Sequence, residues 1–158
     1  MKGIAKSFIA CAFLLATQLA HAQLTGFYDV GPNSSDDYPC LSCSTGIFNA
    51  INQNGITGNV IIRITGNLNS EDGVIALNDY GNGGSILIAP NGPLVRTIAY
   101  NGTTPGSIID LNGADNLTID GSFGGVGKVL RFVSSQPSRP LIQVNNNAKN
   151  ITIKNCLL

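Results

Sequence analysis

Two segments near the end of the chain repeat the same pattern, and this repeat constrains the fold more than any other feature of the sequence. Residues 109–121 read IDLNGADNLTIDG, and residues 142–155 read IQVNNNAKNITIKN, with one residue inserted. The two segments begin 33 residues apart. Two short strands and the turn between them, repeated at such a spacing, are typical of a stacked repeat protein.

After position 58, apolar and polar side chains alternate in short runs, as in β-strands. We predict strands over residues 60–64, 85–89, 95–100, 107–111, 116–120, 128–133, 141–144 and 150–154. Side chains on a strand point alternately to its two faces. The predicted interior comprises Ile109, Leu111, Leu117, Ile119, Leu130, Phe132, Ile142, Val144, Ile151 and Ile153, and the predicted outer positions are Asp110, Thr118, Arg131, Gln143 and Thr152.

The spacing of turn residues decides between kinds of repeat. A helical solenoid needs amphipathic helices of about ten residues or more, and the 19 glycines and many asparagines come too often to allow them. A β-solenoid places Gly and Asn at bends that need a positive φ and stacks short parallel strands. We therefore predict an all-β chain, a right-handed parallel β-helix. An antiparallel β-sandwich is the alternative fold.

One short segment has the pattern of a helix. Residues 45–53 place Ile47, Phe48, Ala50 and Ile51 on one stripe, with Ser44 or Thr45 as the cap and Asn54-Gly55 as the stop. We expect this helix to close the N-terminal end of the solenoid. The predicted organisation is a signal peptide over 1–22, a lead-in segment with the capping helix over 23–57, and β-helix coils over 58–158.

The first residues have the pattern of a secretory signal peptide. Lys2 and Lys6 precede an apolar run over 8–16, and Ala20-His21-Ala22 has the small-x-small pattern of a cleavage site. The apolar run is about half of the ~20 residues that span a bilayer. We therefore predict cleavage after Ala22, a secreted or cell-surface location, and no membrane span.

The charge of the chain excludes several kinds of partner and site. Nine Lys and Arg balance nine Asp and Glu, the pI is near 6.5, and the sequence has no basic run. Phosphate binding needs concentrated positive charge, so no nucleic-acid partner is expected. His21 is the single histidine and leaves with the signal peptide. Catalytic triads that use histidine and His-ligated zinc sites are therefore not expected.

Cys40 and Cys43 form a CxxC pair in a polar loop. Such a pair could be a redox motif, half of a zinc site or a small structural disulfide. Export to an oxidising compartment favours a disulfide between Cys40 and Cys43. Cys156 lies in an apolar run and is expected to be a buried small side chain rather than a nucleophile.

Several short blocks of the sequence carry a family resemblance: GIFNAIN at 46–52, GNV at 58–60, TGNL at 65–68, RTI at 96–98, LNGADNLTIDG at 111–121, LRF at 130–132 and NCL at 155–157. They resemble the first region of large secreted right-handed β-helix proteins of the pectin-lyase-like fold, typical of bacteria with type IX secretion. Such proteins are far longer and often end in a sorting domain. Because this chain stops after a strand, we expect a truncated part of a longer protein.

The resemblance implies where an enzyme of this fold would carry its chemistry. Polysaccharide lyases and hydrolases of the fold place carboxylates on the outer face of one sheet, often with Ca²⁺ and a basic residue. The weak catalytic candidates here are Asp110, Asp120 and Arg131. Aligned on adjacent coils, they would form a carboxylate pair beside a cation. The alternative is that Asp110 is a solvated outer residue and that Asp115 and Asp120 bond to backbone amides in turns.

No calcium-loop motif supports a bound Ca²⁺. Glu71-Asp72-Gly73 and Asp36-Asp37 supply oxygens but lack the alternating ladder of such a loop, and solvated turns are expected. No cofactor is therefore predicted. Two functions remain open: a non-catalytic secreted or cell-surface scaffold for adhesion or contact with polysaccharides or surface glycans, and part of a polysaccharide lyase or glycoside hydrolase whose active coils lie elsewhere.

Overall fold

The computed structural model describes residues 22–81, 83–102, 106–136 and 138–158, and these residues form twelve strands and one helix. In chain order they are β1 (Leu24–Val30), α1 (Ile47–Asn54), β2 (Ile56–Ile64), β3 (Leu68–Glu71), β4 (Leu77–Asn78), β5 (Ile86–Pro90), β6 (Arg96–Tyr100), β7 (Ile109–Asn112), β8 (Leu117–Asp120), β9 (Leu130–Ser134), β10 (Ile142–Asn145), β11 (Thr152–Lys154) and β12 (Cys156–Leu157). The predicted signal peptide lies outside the described residues, except for Ala22.

The strands stack into three sheets. The first sheet has the order β1-β2-β5-β8-β11, the second β3-β6-β9-β12 and the third β4-β7-β10. All pairs between these strands are parallel. From β2 onward each strand pairs with the third strand after it, so every coil contributes one strand to each sheet. The predicted parallel β-helix is confirmed, and the antiparallel sandwich is excluded.

Inward-facing apolar side chains stack from coil to coil and form one core. Ile62, Ile88 and Ile119 are paired in register along the first sheet, and all three are fully buried. Each such side chain contributes about 1.5–3 kcal/mol through burial. The prediction of an interior position is confirmed for Ile109, Leu111, Leu117, Ile119, Leu130 and Phe132.

The predicted interior was wrong for the last coil. Val144 is 48% exposed and Ile153 is 38% exposed, while Ile142 and Ile151 are half-buried. The cause is the position of β10 and β11, which are the last strands of their sheets in the described chain. No described strand pairs beyond them, so their inward side chains pack against the preceding coil only. The five predicted outer residues are all half-buried or exposed, as expected from the alternation.

The helix starts two residues later than predicted, and its cap differs. Gly46 is the N-cap and no side chain caps the helix, so the prediction of Ser44 or Thr45 was wrong. The amides of Ile47 and Phe48 instead donate to carbonyls of the preceding loop, at 3.2 and 3.1 Å. A Cβ on residue 46 would lie 2.5 Å from the Leu41 carbonyl oxygen, which explains the glycine. The predicted stop is confirmed, because Gly55 has φ 69°.

The first coil covers the sheet edges with three different elements. β1 pairs with β2 in the first sheet, and α1 packs against β4 in the third. Asn52 of the helix replaces a strand partner there: its Nδ2 donates to the Ala76 carbonyl at 2.8 Å, and its Oδ1 accepts from the Asn78 amide at 3.0 Å. The loop containing Ser42 covers the second sheet. The helix therefore closes one edge of three.

Four strands were not predicted from the sequence. β1 lies in the predicted lead-in segment, and β3, β4 and β12 have at most four residues each. β1 carries Thr, Gly and Asp among its apolar residues, which hides the alternation. These segments form strands because they pair with a neighbouring coil, although their local sequences do not favour a strand.

Candidate functional site

The three catalytic candidates from the sequence lie in three different sheets. Asp110 is on β7 in the third sheet, Asp120 ends β8 in the first, and Arg131 is on β9 in the second. The structure therefore does not bring them together on one face.

Asp120 is held by several donors. Its Oδ1 accepts from the Ser122 amide at 3.0 Å, from Ser122 Oγ at 2.7 Å and from Asn155 Nδ2 at 3.0 Å. Its Oδ2 lies 3.1 Å from Lys154 Nζ on the adjacent coil. Partial burial opposes ionisation of Asp120, but the hydrogen bonds from Asn155, Ser122 and Lys154 outweigh it and lower its pKa well below the ordinary value. Such a group is a poor proton acceptor near neutral pH.

Asp110 and Arg131 also bond to the neighbouring coil. Asp110 Oδ1 accepts from Asn145 Nδ2 at 2.9 Å, and Arg131 Nη2 donates to Thr97 Oγ1 at 3.0 Å. Arg131 and Thr97 are paired in register, whereas the Asp110 bond is diagonal, because Asp110 itself is paired with Gln143. In this arrangement the candidates hold coils in register.

A ladder of asparagine amides runs along the corner after the third sheet. Asn112 Nδ2 donates to Asn78 Oδ1 at 2.7 Å, and Asn146 Nδ2 donates to Asn112 Oδ1. The three residues come from three successive coils. A row of amides offers both donors and acceptors to a ligand that lies along it.

Beside this ladder lies a cleft of about 380 Å³. It is formed where the chain turns from the third sheet to the first, by the residues that follow β4, β7 and β10. Its lining side chains are all polar or charged: Asp79, Asn112, Asp115, Asn146, Asn147 and Lys149. The cleft thus combines two carboxylates, three amides and one ammonium.

Gly113 explains why the cleft is open. It lines the cleft with φ 80°, a conformation that glycine adopts without strain. A Cβ at this position would lie 3.7 Å from Asp79 Cβ and 3.4 Å from the Asn146 carbonyl oxygen. Gly113 therefore lies between a residue of the preceding coil and one of the following coil. Because the middle coil contributes no side chain here, a gap remains in the stack.

Hydrogen bonds fix the charged residues of the cleft. Asp79 Oδ1 accepts from the Gly81 amide at 2.7 Å, and Asp115 Oδ1 accepts from the Lys149 amide at 2.6 Å. Tyr80 donates its hydroxyl to the Asp115 carbonyl oxygen. Burial, with the nearby Asp115 and Asp79 charges, raises the pKa of Tyr80, so its hydroxyl stays a donor. Asp115 thus bonds to a backbone amide, as expected, but the amide belongs to the next coil and not to the turn of Asp115 itself.

Sequence reasoning did not single out Asp79 or Lys149. One signal was available: Asp115 and Lys149 occupy the same position of the two repeated segments. Asp79 had no such signal, because the earlier coil lacks the repeated block. The expected use of Asn at positive-φ bends is confirmed by Asn116, Asn146, Asn147, Asn150 and Asn155.

Glu71 was predicted to lie in a solvated turn, and this was wrong. Its side chain is fully buried and accepts from the Leu41 amide at 2.7 Å, the Ser42 amide at 2.8 Å and Ser42 Oγ at 2.6 Å. Burial raises the pKa of Glu71, opposed by the hydrogen bonds from Leu41 and Ser42 and reinforced by the Asp72 charge. Glu71 thus anchors the first loop to β3.

The loop that Glu71 holds is the CxxC loop. In the structure Cys40 and Cys43 form a disulfide around Leu41 and Ser42. Cys156 is a free, half-buried thiol whose Sγ donates to the Lys154 carbonyl at 3.2 Å. Burial raises the pKa of Cys156, and a thiol with a raised pKa is a weak nucleophile.

The described residues contain no group of three or more His, Cys, Asp or Glu side chains arranged to hold a metal ion. The carboxylates of Asp36 and Asp37 bond to backbone amides instead, at 2.8 Å to Asn33 and 2.7 Å to Asp29. The described residues contain one helix, α1, which has eight residues. No helix in this part of the chain is long and apolar enough to cross a membrane.

Comparisons of the chain with protein-family models, with curated proteins and with solved structures found no match.

Proposed function

We propose that this chain is a non-catalytic, secreted or cell-surface β-helix scaffold that contacts glycans. Its resemblance to the first region of pectin-lyase-like surface proteins of the type IX secretion kind supports this proposal. The stacked coils provide an extended, hydrogen-bonding surface of fixed geometry. Such a surface suits adhesion, where many weak contacts add up.

The main observation in support of the proposal is where the three catalytic candidates lie. Asp110, Asp120 and Arg131 lie on three faces, and each bonds to a residue of an adjacent coil. Acid–base catalysis on a sugar needs two groups on opposite sides of one bond, within hydrogen-bonding reach. Groups on separate faces do not meet this condition.

A polysaccharide lyase or glycoside hydrolase is the second candidate. The observation that favours it is the cleft, where the carboxylates of Asp79 and Asp115 occur with the ammonium of Lys149. Against it stands the engagement of one oxygen of each Asp by a backbone amide, so that both carboxylates already serve to hold the turns.

The test is a paired measurement of turnover and binding on the purified chain. Plant, algal and host polysaccharides are incubated with the protein, and new reducing ends and unsaturated products are measured. We expect no turnover but weak retention of at least one polysaccharide on affinity electrophoresis. Turnover that is lost in Asp79→Asn, or in Asp110→Asn or Asp120→Asn, would establish an enzyme. Absence of both turnover and retention would contradict glycan contact.

A further inference from the structure

We propose that the cleft after β4, β7 and β10 is a binding site for a hydroxyl-rich sugar that carries no acidic groups. This inference rests on the proposed glycan contact and deepens it by naming the site and the class of ligand. The observations behind it are the polar lining, the net negative charge of that lining and the hydrogen bonds that hold the three stacked turns.

The lining determines the polarity of the ligand. Every side chain that lines the cleft is a carboxylate, an amide or an ammonium, and the remaining lining residue is Gly113. An apolar ligand would leave the remaining donors and acceptors of these groups without hydrogen bonds, at a high cost for each. A polyol satisfies both donors and acceptors. The volume of about 380 Å³ is at the lower end of the range for small-molecule sites, which suits one or two sugar rings.

The charges determine which sugars fit. The lining carries two negative charges, on Asp79 and Asp115, against one positive charge, on Lys149, and this excess of negative charge disfavours uronic acids and sulfated sugars. Neither Asp Oδ2 has a hydrogen-bond partner among the described residues, and Lys149 Nζ has none there either. The two carboxylate oxygens can each accept from a hydroxyl, and the ammonium can donate to a hydroxyl or ring oxygen.

The cleft is already ordered without a ligand. The amide ladder fixes Asn112 and Asn146, and the backbone amides of Gly81 and Lys149 fix the two aspartates. Groups held in this way lose little freedom on binding. The lining includes no aromatic ring to stack on a sugar. We therefore expect a dissociation constant on the order of 1 mM for a single short oligosaccharide.

The decisive variant is Gly113→Asn. Asparagine tolerates the positive φ of this turn, as Asn146 shows at the equivalent place of the next coil with φ 50°. The new side chain meets its nearest neighbour no closer than 3.4 Å at Cβ, so the fold accommodates it. It fills the gap between Asp79 and Asn146. The matched control is Gly124→Asn, where φ is 60° and nothing lies within 4 Å of the added Cβ.

Binding is measured by titration of the isotope-labelled chain in NMR, with three sets of probes: neutral oligosaccharides of hexoses, pentoses and deoxyhexoses, an oligogalacturonide, and an oligoglucosamine. We expect a neutral or amino-sugar probe to bind better than the oligogalacturonide and to shift the amides of residues 113–116 and 146–149. Gly113→Asn should weaken this binding at least about tenfold, and Gly124→Asn should leave it unchanged. Thermal melts verify that both variants fold.

A second variant tests the charge argument without filling the cleft. Asp79→Asn combined with Asp115→Asn keeps an acceptor oxygen for each backbone amide but leaves Lys149 as the only charge in the lining. Oligogalacturonide binding should then increase relative to the wild type. If glycans bind equally to the wild type and to Gly113→Asn, the cleft is not the site, while the scaffold function stands. If the acidic probe binds the wild type best, the exclusion of acidic sugars is wrong. If no probe binds, both proposals fail.

Discussion

Replacing Glu71 with glutamine should destabilise the chain, although the two side chains have almost the same shape. The carboxylate accepts from two backbone amides and one hydroxyl, and glutamine retains only one acceptor oxygen. Its NH₂ group must then face the amide of either Leu41 or Ser42. One buried N–H without a partner costs about 1–3 kcal/mol, so we expect a loss of about 2 kcal/mol in the free energy of unfolding.

The pH dependence of this loss tests the burial of the group. Because burial raises the pKa of Glu71 above the ordinary value of 4.5, the folded state binds the proton more tightly than the unfolded state. The wild-type free energy of unfolding should therefore fall as pH rises from about 4.5 to the raised pKa, and Glu71→Gln should lack this component. The difference between the two proteins should thus be largest near pH 4 and shrink above it.

Urea unfolding followed by circular dichroism measures both effects, provided that the m-value is unchanged. The matched control is Asp72→Asn, the same chemical change at the next residue. Asp72 is half-buried, and its Oδ1 accepts from the Val74 amide at 3.1 Å, a bond that asparagine retains. We expect a change of less than about 0.5 kcal/mol in the control. A Glu71→Gln protein as stable as the control across pH 4–8 would refute the anchoring role of this carboxylate.

Three further predictions concern other parts of the structure. Changing Cys40 and Cys43 to serine should lower the free energy of unfolding by about 2 kcal/mol, because a bridge with a sequence separation of three closes only a small loop. Intact mass with and without reductant should show both thiols oxidised in exported protein. Ile88→Ala should cost about 2–5 kcal/mol, since the side chain is fully buried, whereas the same change at the half-exposed Val144 should cost less than about 1 kcal/mol; equal losses in urea melts would contradict the stacking of the core. Asp120→Asn should lower the free energy of unfolding at neutral pH. Because the pKa of Asp120 is lower in the folded state than the ordinary value of 3.8, its ionised form stabilises the fold above that pH. This stabilisation is lost as pH falls from about 3.8 toward the folded-state pKa, so the wild type and the variant should become equally stable there.

The fold was predictable because two successive coils have nearly the same length. In the first sheet Thr118 pairs with Thr152, an offset of 34 that sequence comparison detects. The earlier offsets are shorter, 26 from Val60 to Ile86 and 31 from Ile86 to Leu117, because the connecting loops differ. Those coils therefore leave no visible repeat, and their short strands β3 and β4 were missed.

The candidate site was less predictable, because a β-helix coil has three sides. Asp110 and Asp120 lie on successive strands, and from β2 onward successive strands belong to different sheets. Outward alternation alone does not say which face a residue occupies. Glu71 shows a second limit of sequence-based prediction. The sequence Glu-Asp-Gly is typical of an exposed turn, but Glu71 is buried by a loop whose residues lie 29 and 30 positions away in the chain. Such contacts become visible only when the register is known.

The structure also separates charges that hold the coils together from charges that remain for a ligand. Asp29 forms a two-bond ion pair with Arg63, at 2.7 and 2.8 Å, and Asp120 pairs with Lys154. In each case an acid on one coil meets a base at the matched position of the neighbouring coil, which favours a single register. Each pair is partly exposed and adds about 1 kcal/mol or less.

The same acid-over-base arrangement recurs at Asp115 and Lys149, but the contact differs. Asp115 bonds to the backbone amide of Lys149, and no ion pair between the two side chains occurs in the described residues. The Lys149 ammonium and one Asp115 oxygen therefore stay available in the cleft that Gly113 opens. The Asp29–Arg63 and Asp120–Lys154 pairs use their charges to fix the register. At this corner, backbone amides and asparagine side chains fix the register instead. That difference makes the turn after β7 the place where binding chemistry is expected.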